Sequence, residues 1–168
     1  EDQGLGRSTS VSVLSVFGAG NGLGRLLWGS SADCFAAAGP LRALRASLLL
    51  SAVAAAAWPL CSSAPTLVVF SFGFSACAFA WYSLLGPTCA LFFEVGAMGS
   101  IVGGIFLGFV PAAAAPTVAG LLFDLTGNYY AAQAFVVVAM FLSAVCVCTL
   151  QPPKPEGKTL DTEPGGHR

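Results

Sequence analysis

Long stretches without a charged side chain constrain this sequence more than any other feature. Between positions 46 and 150 the only charged residues are Glu94 and Asp124. The first uncharged run is too long for one membrane span, which needs about 20 residues, and it suits two. Each of the other two runs suits one span, which a helix can make because it satisfies its own backbone hydrogen bonds. The three runs are 46–93, 95–123 and 125–150.

The composition agrees with a membrane protein and argues against several other classes. Apolar residues make up 56% of the chain and charged residues 9%, against about 25% charged in soluble domains. The mean hydropathy is +0.80. A net charge of −1 gives no reason to expect nucleic acid as a partner. The apolar region holds no histidine, acidic pair or metal-ligand cluster, so we expect no enzyme activity, metal or cofactor.

These patterns predict an all-α integral membrane protein with one five-helix domain at 9–150. Residues 1–8 would be an extramembrane lead, and the proline-rich tail 151–168 would be disordered and cytoplasmic. Residues 31–45, with the Gly39-Pro40 breaker, are expected to form a loop. Pro111 and Pro116 are expected to interrupt the fourth helix and to serve gating or curvature. The predicted helices are about 9–30, 44–60, 66–90, 98–123 and 131–150.

Basic residues orient the predicted helices. With five spans the two termini lie on opposite sides, and the loop after the first helix lies on the same side as the tail. That loop carries Arg42 and Arg45, and the tail carries three more basic residues, whereas the other side has only Arg7. Since basic loops stay in the cytoplasm, the tail is predicted to be cytoplasmic and the N-terminus outside. The plasma membrane and an organelle membrane both remain compatible with this pattern.

Arg25 lies inside the first predicted helix and has two interpretations. If the helix ends near Trp28, Arg25 is one turn from the interface and can extend its guanidinium to the headgroups. If the helix runs to Asp33, Arg25 lies about 12 Å inside, near the middle of the bilayer. A guanidinium there costs about 2.5 to 3.5 kcal/mol, so it would face a polar cavity and an anionic partner. The second interpretation makes Arg25 a functional residue.

Four glycines precede Arg25 at every second position. They superficially match a dinucleotide-binding loop, but such a loop follows a strand and opens a soluble helix, and neither context is predicted here. Their spacing instead gives two pairs four residues apart, Gly18 with Gly22 and Gly20 with Gly24. Small residues at this spacing allow a neighbouring membrane helix to approach closely.

Three segments of the sequence resemble the major facilitator superfamily of transporters. The string GNGLGRLLWGSSAD at 20–33 resembles the eighth helix and following loop of its monocarboxylate porter and oxalate–formate antiporter branch. The string GFSACAFAWYSLLGP at 73–87 is similar to the tenth helix of monocarboxylate porters. Pro116 followed by GLLFDLTGNYYAA resembles the end of the eleventh helix and the turn into the twelfth.

The resemblance implies that the chain supplies helices eight to twelve of a twelve-helix carrier, most of one six-helix half. The N-terminal half and helix seven would be its partners, together with the lipid bilayer. In such folds the substrate binds near the midplane and is exposed alternately to each side. The resemblance implies that Arg25 binds the carboxylate of a small organic anion. Asn21, one turn earlier, could add a hydrogen bond, and Trp81 and Tyr82 could face the cavity.

The charge pattern departs from both relatives. Monocarboxylate porters typically have an aspartate one turn before the arginine, where this chain has Asn21, which cannot accept a proton. Oxalate–formate antiporters place a lysine in the eleventh helix, and the region around Gly108 is uncharged here. One arginine balances one carboxylate, so a monocarboxylate fits better than a dicarboxylate.

Three further expectations do not depend on substrate binding. Instead of facing the cavity, Trp81 and Tyr82 could pack against other helices or lie at the membrane interface. Asp33 is expected to act as a structural latch that contacts loop donors or helix ends. The alternative for the whole chain is a degenerate or truncated carrier that acts only as a multispanning scaffold without transport of its own.

Overall fold

The computed structural model describes residues 7–34, 38–61 and 63–151, which form helices joined by short turns and contain no strand. Single 3₁₀ turns follow α2 and precede α5, at Trp58–Leu60 and Val95–Ala97. The helices are α1 (Arg7–Cys34), α2 (Gly39–Ala57), α3 (Ala64–Ala78), α4 (Trp81–Cys89), α5 (Met98–Leu107), α6 (Phe109–Ala112), α7 (Ala115–Thr126) and α8 (Tyr130–Thr149).

Four helical stretches among the described residues are long and apolar enough to cross a membrane. The prediction of an all-helical chain with several candidate membrane spans is therefore confirmed in this form. The first helix, α1, is long at 28 residues but is not among the four. Its many glycine and serine residues, together with Asn21 and Arg25, lower its hydropathy. The four stretches are Gly39–Leu60, Ala64–Cys89, Val95–Thr126 and Tyr130–Thr149.

Small residues bring α2 against α1, α3, α4 and α8. The buried face of α2 consists largely of alanine and serine, which let helix backbones approach closely. Each buried serine on α2 donates its hydroxyl hydrogen to a carbonyl of its own helix, Ser47 to Leu44 and Ser51 to Ser47. The hydroxyl groups are thus satisfied without a partner on another helix, as burial requires.

The packing of α1 on α3 depends on two glycines. A Cβ atom on Gly20 would lie 2.5 Å from the carbonyl oxygen of Phe72, and one on Gly24 would lie 2.5 Å from the Cα of Ala76. Both distances are far shorter than a van der Waals contact, so any other residue here forces the helices apart. Gly18 and Gly22 have no atoms within 4 Å of an added Cβ. Only one of the two expected glycine pairs therefore lies at a helix contact.

The helical stretch Ala64–Cys89 is interrupted at Phe79 and Ala80, where the sequence has no proline or glycine. It begins at a capping box in which the backbone N–H of Ser63 donates to Thr66 Oγ1 at 3.1 Å. Regular α-helical bonding stops at Phe79 and Ala80, where Ala80 donates to the carbonyl of Cys77, three residues back. The helix continues as α4. This break turns the residues that follow it, including Trp81 and Tyr82, towards α1 and α5.

The stretch Val95–Thr126 is the least enclosed part of the described chain. Its main contacts are those of α5 with α4 and of α7 with α8, and it buries no residue of its own. Proline cannot donate a hydrogen bond to the carbonyl four residues before it, so Pro111 and Pro116 weaken the helix. The observed irregular turns lie just before them, at Gly108 and at Ala113–Ala114.

A tight turn reverses the chain between α7 and α8. Gly127 ends α7 in the left-handed conformation with φ of 69°, which glycine adopts without a steric cost. Its N–H donates to the carbonyl of Phe123 at 2.7 Å. The side-chain amide of Asn128 donates to Thr126 O, and its oxygen accepts from the N–H of Tyr130 at 3.0 Å. The turn that the residue types predict is thus held by its own side chains.

Arg45 joins the beginning of α2 to the end of α8. Its Nε donates to the carbonyl of Val147 at 3.2 Å, and its terminal nitrogen donates to the carbonyl of Leu150. Both carbonyls lie at the end of α8, where a positive charge is favourable. The carbonyl of Val147 also accepts from the N–H of Leu150 at 3.3 Å. The first turn of α2 and the last turn of α8 therefore lie at the same end of the molecule.

Several segment boundaries differ from the expected ones. The loop expected at 31–45 is short, because α1 continues to Cys34 and α2 starts at Gly39, with Pro40 in its first turn. Proline is favourable there because the N–H groups of the first turn have no helical partner. Arg42 and Arg45 consequently lie on α2 and not in a loop. Of the expected lead and tail, 1–6 and 152–168 lie outside the described residues, and α1 begins inside the lead.

Candidate anion-binding site

Arg25 lies well inside α1. Of the two possible helix ends predicted from the sequence, near Trp28 or at Asp33, the structure agrees with the later one. The helix continues past Asp33 to Cys34, so Arg25 is about 12 Å along the helix axis from Asp33. Its guanidinium is too far from the helix end to lie within one turn of it. The helix length meets the condition under which Arg25 would lie deep in a bilayer.

The Arg25 side chain is fixed by Asn21, one turn earlier on α1. Its Nε donates to Asn21 Oδ1 at 2.9 Å. Within the described part of the chain neither terminal nitrogen of the guanidinium has a hydrogen-bond or acidic partner. Nε is thus occupied by a neutral acceptor, while the two terminal groups, which can bind a carboxylate through parallel hydrogen bonds, stay available.

Tyr82 places the guanidinium on an aromatic surface. The Cζ atom of Arg25 lies 4.5 Å from the centroid of the Tyr82 ring, within the range of a cation–π interaction. This contact joins α1 to the start of α4. Because a guanidinium is more weakly hydrated than an ammonium group, it tolerates such a surface better than lysine would. Arg25 is therefore held from two directions.

The ring of Tyr82 and three further rings beside it form a surface that we call the aromatic wall. Trp81 and Tyr82 stack with centroids 3.9 Å apart, and Trp81 stacks on Phe109 at 5.2 Å. Phe106 lies 5.4 Å from Phe109. These separations fall in or near the usual range for aromatic pairs. The wall is thus built from α4 and from the α5–α6 region, and it consists of Trp81, Tyr82, Phe106 and Phe109.

Trp81 also has a structural role. It packs against a cluster of buried residues where α1, α2 and α4 meet, which includes Ala32, Leu44 and Leu84. By contrast, 36% of Tyr82, 44% of Phe106 and 38% of Phe109 is exposed. Trp81 therefore anchors the wall to the helix bundle, and the other three rings present its surface.

The four residues predicted to bind substrate come together in the structure. Arg25 contacts both Asn21 and Tyr82, and Tyr82 contacts Trp81. Phe106 and Phe109 also belong to this group, although the sequence did not single them out. Their spacing places them on one side of the helix, but an apolar helix offers many such pairs, and only the structure shows which pair faces Trp81.

The other predicted site residues lie apart from Arg25's contacts or lack the expected partner. Asp33 is exposed near the end of α1 and makes no hydrogen bond or ion pair with any residue in 7–34, 38–61 or 63–151, so the expected latch is not formed there. Gly24 contacts α3, whereas Gly18 and Gly22 face open space. Pro111 and Pro116 are exposed in the interrupted helix beyond the aromatic wall.

Comparisons of the chain with protein-family models, with curated proteins and with solved structures find no match. The function must therefore be argued from the geometry of Arg25 and the surface beside it.

Proposed function

We propose that this chain forms part of a membrane transporter for small organic anions, in which Arg25 binds the carboxylate of the substrate. In this proposal α1 is a fifth span, and the chain corresponds to helices eight to twelve of a major facilitator carrier. The first seven helices complete the carrier and close the opposite side of the pathway. The substrate crosses by alternating access, with the site exposed to one side of the membrane at a time.

The main support for this proposal is that the terminal nitrogens of Arg25 have no hydrogen-bond partner among the described residues. Structural arginines are usually paired with carboxylates or carbonyls, as Arg45 is with the end of α8. Arg25 is instead oriented by a neutral amide and an aromatic ring, and its two terminal groups have no partner in the described residues. A side chain held in this way supports the binding of an anion that arrives from outside the chain.

The charge of the site favours a monocarboxylate. Among the described residues, the contacts of Arg25 are the neutral Asn21 and Tyr82, and Trp81 beside Tyr82 is also neutral. One guanidinium compensates one carboxylate, and a second carboxylate would be left without a cation from this chain. Asn21 cannot titrate, so we expect uptake through this half to depend little on an inward proton gradient.

Replacing Arg25 with lysine should reduce uptake at least about tenfold in the full-length carrier. Lysine keeps the charge but loses the planar pair of donors, and one charge-assisted hydrogen bond contributes about 1.5 to 3 kcal/mol. Arg42→Lys is the matched control, because Arg42 is exposed on α2 and no side-chain partner is described for it. Uptake of radiolabelled acetate and lactate into proteoliposomes measures the effect, with membrane insertion checked separately.

Equal uptake by the Arg25→Lys, Arg25→Ala and control proteins would contradict the proposal. If none of these proteins, including the wild type, transports a carboxylate, the scaffold interpretation becomes the better one. Its supporting observation is the stretch Val95–Thr126, whose apolar surface is left uncovered by the rest of the described chain.

Whether α1 crosses the membrane can be tested by labelling single cysteines in intact cells, in a variant without native cysteines. With five spans, a cysteine at Ser8 or Ser62 reacts with an impermeant reagent from outside. A cysteine at Lys158 reacts only after permeabilisation. If α1 does not cross, Ser8 becomes protected while Ser62 stays accessible, so Ser8 distinguishes five spans from four.

A further inference from the structure

The composition of the aromatic wall restricts the part of the substrate that follows its carboxylate. Trp81, Phe106 and Phe109 offer ring faces and edges, and the hydroxyl of Tyr82 is the one oxygen-bearing group among the four rings of the wall. Three of the rings are more than one third exposed. A ligand lying on this surface would therefore contact mainly carbon.

The distances place such a ligand within reach of the rings. Arg25 Cζ lies 4.5 Å from the Tyr82 centroid, and the Tyr82 and Phe109 centroids are 6.3 Å apart. A carboxylate paired with the terminal groups of the guanidinium lies about 4 Å from Cζ, and its substituent begins one bond further away. Ring centroids 4.5 to 7 Å apart form favourable aromatic pairs. A ring attached to the carboxylate reaches this range of the wall when its bond points from Arg25 along Tyr82 towards Phe109.

We propose that the site prefers aromatic monocarboxylates over short aliphatic acids and hydroxy acids, an inference that rests on the proposed role of Arg25 in carboxylate binding. A flat ring can stack against the exposed faces of Tyr82 and Phe109. A hydroxyl group lying over the ring faces of Phe106 and Phe109 would lose its water without gaining a hydrogen-bond partner from those rings. The methyl group of a short aliphatic acid would bury too little apolar surface against the wall to gain much affinity.

Equilibrium binding to the purified full-length protein in nanodiscs tests this preference. Benzoate, cyclohexanecarboxylate and lactate are the probes, because the first two have similar size and only benzoate is aromatic. We expect benzoate to bind about three- to tenfold more tightly than cyclohexanecarboxylate, as aromatic pairs imply. It should bind more than tenfold more tightly than lactate.

Phe109→Leu removes the ring while keeping an apolar side chain. It should lower the benzoate-to-cyclohexanecarboxylate ratio, because one of the two stacking faces is lost. Phe135→Leu is the control, because Phe135 is 62% exposed on α8 and no ring contact is described for it. Phe106→Leu is a second variant, should Phe109→Leu fail to fold, and it is expected to lower the ratio in the same direction.

The outcomes separate the two proposals. Equal binding of benzoate and cyclohexanecarboxylate by the wild type, or a ratio unaffected by both phenylalanine variants, overturns the aromatic preference. Lactate binding that is lost in Arg25→Lys would then still support the carboxylate site. If no carboxylate binds, or if binding is unchanged in Arg25→Lys, both proposals fail together.

Discussion

Replacing Gly24 with alanine is expected to destabilise the helix bundle by about 1 to 3 kcal/mol, the usual cost of overpacking a close contact. The added Cβ meets the backbone of Ala76 at 2.5 Å from its Cα. A backbone cannot rotate away as a side chain can, so α1 and α3 must separate. Any separation also moves Arg25, the next residue on α1, relative to Tyr82.

Gly22→Ala is the matched control for this variant. Gly22 lies two residues away on the same helix and has open space around an added Cβ. Alanine favours a helix over glycine by about 1 kcal/mol, so this control should be unchanged or slightly more stable. Unfolding in mixed detergent micelles, followed by tryptophan fluorescence, gives both free energies. Equal stability of the two variants would show that α1 and α3 are not in close contact.

Replacing Arg45 with methionine should loosen the end of α8 and lower stability by about 1.5 to 3 kcal/mol, the contribution of hydrogen bonds to a charged group. Methionine keeps the apolar length of the side chain but cannot donate to Val147 and Leu150. The carbonyl of Leu150 then loses this donor, while the carbonyl of Val147 keeps its bond from the N–H of Leu150. Backbone amides near the end of α8 should exchange hydrogen faster, whereas those of α3 should not change.

Arg42→Met provides the comparison for Arg45. Both arginines lie near the start of α2, and Arg42 is exposed. If methionine at either position gave the same exchange pattern and the same stability, the loss would come from the net charge of this end of the molecule. A difference confined to Arg45 assigns it to the contact with α8.

Local patterns were enough to predict an all-helical chain with several candidate membrane spans, and to place Asn21 and Arg25 on one helix face. Long uncharged runs predict helices because a helix satisfies the polar groups of its own backbone in an apolar surrounding. Asn21 and Arg25 are four residues apart on one helix, so their contact follows from helix geometry. The sequence of the turn at 126–128 likewise contains the residues whose side chains hold it.

Contacts between distant residues could not be predicted in this way. Two glycine pairs with identical spacing precede Arg25, and only the position of α3 decides that Gly20 and Gly24 form the contact. Arg45 and Val147 are 102 residues apart, and a basic residue near a helix start gives no sign of the helix end that it will contact. The break at Phe79 has no proline or glycine to mark it, although it turns Tyr82 towards Arg25.

The stretch Val95–Thr126 is supported at its two ends and is weakest in its middle. α5 rests on α4 and α7 rests on α8, while the regular hydrogen bonding is interrupted at Gly108 and at Ala113–Ala114. A helix that is packed at both ends and irregular in its middle bends most easily at the middle. Phe109 lies at that centre and is stacked on Trp81. A bend at this point would displace Phe109 from Trp81 and open one side of the aromatic wall, whereas the side at Trp81 is packed against the helix bundle.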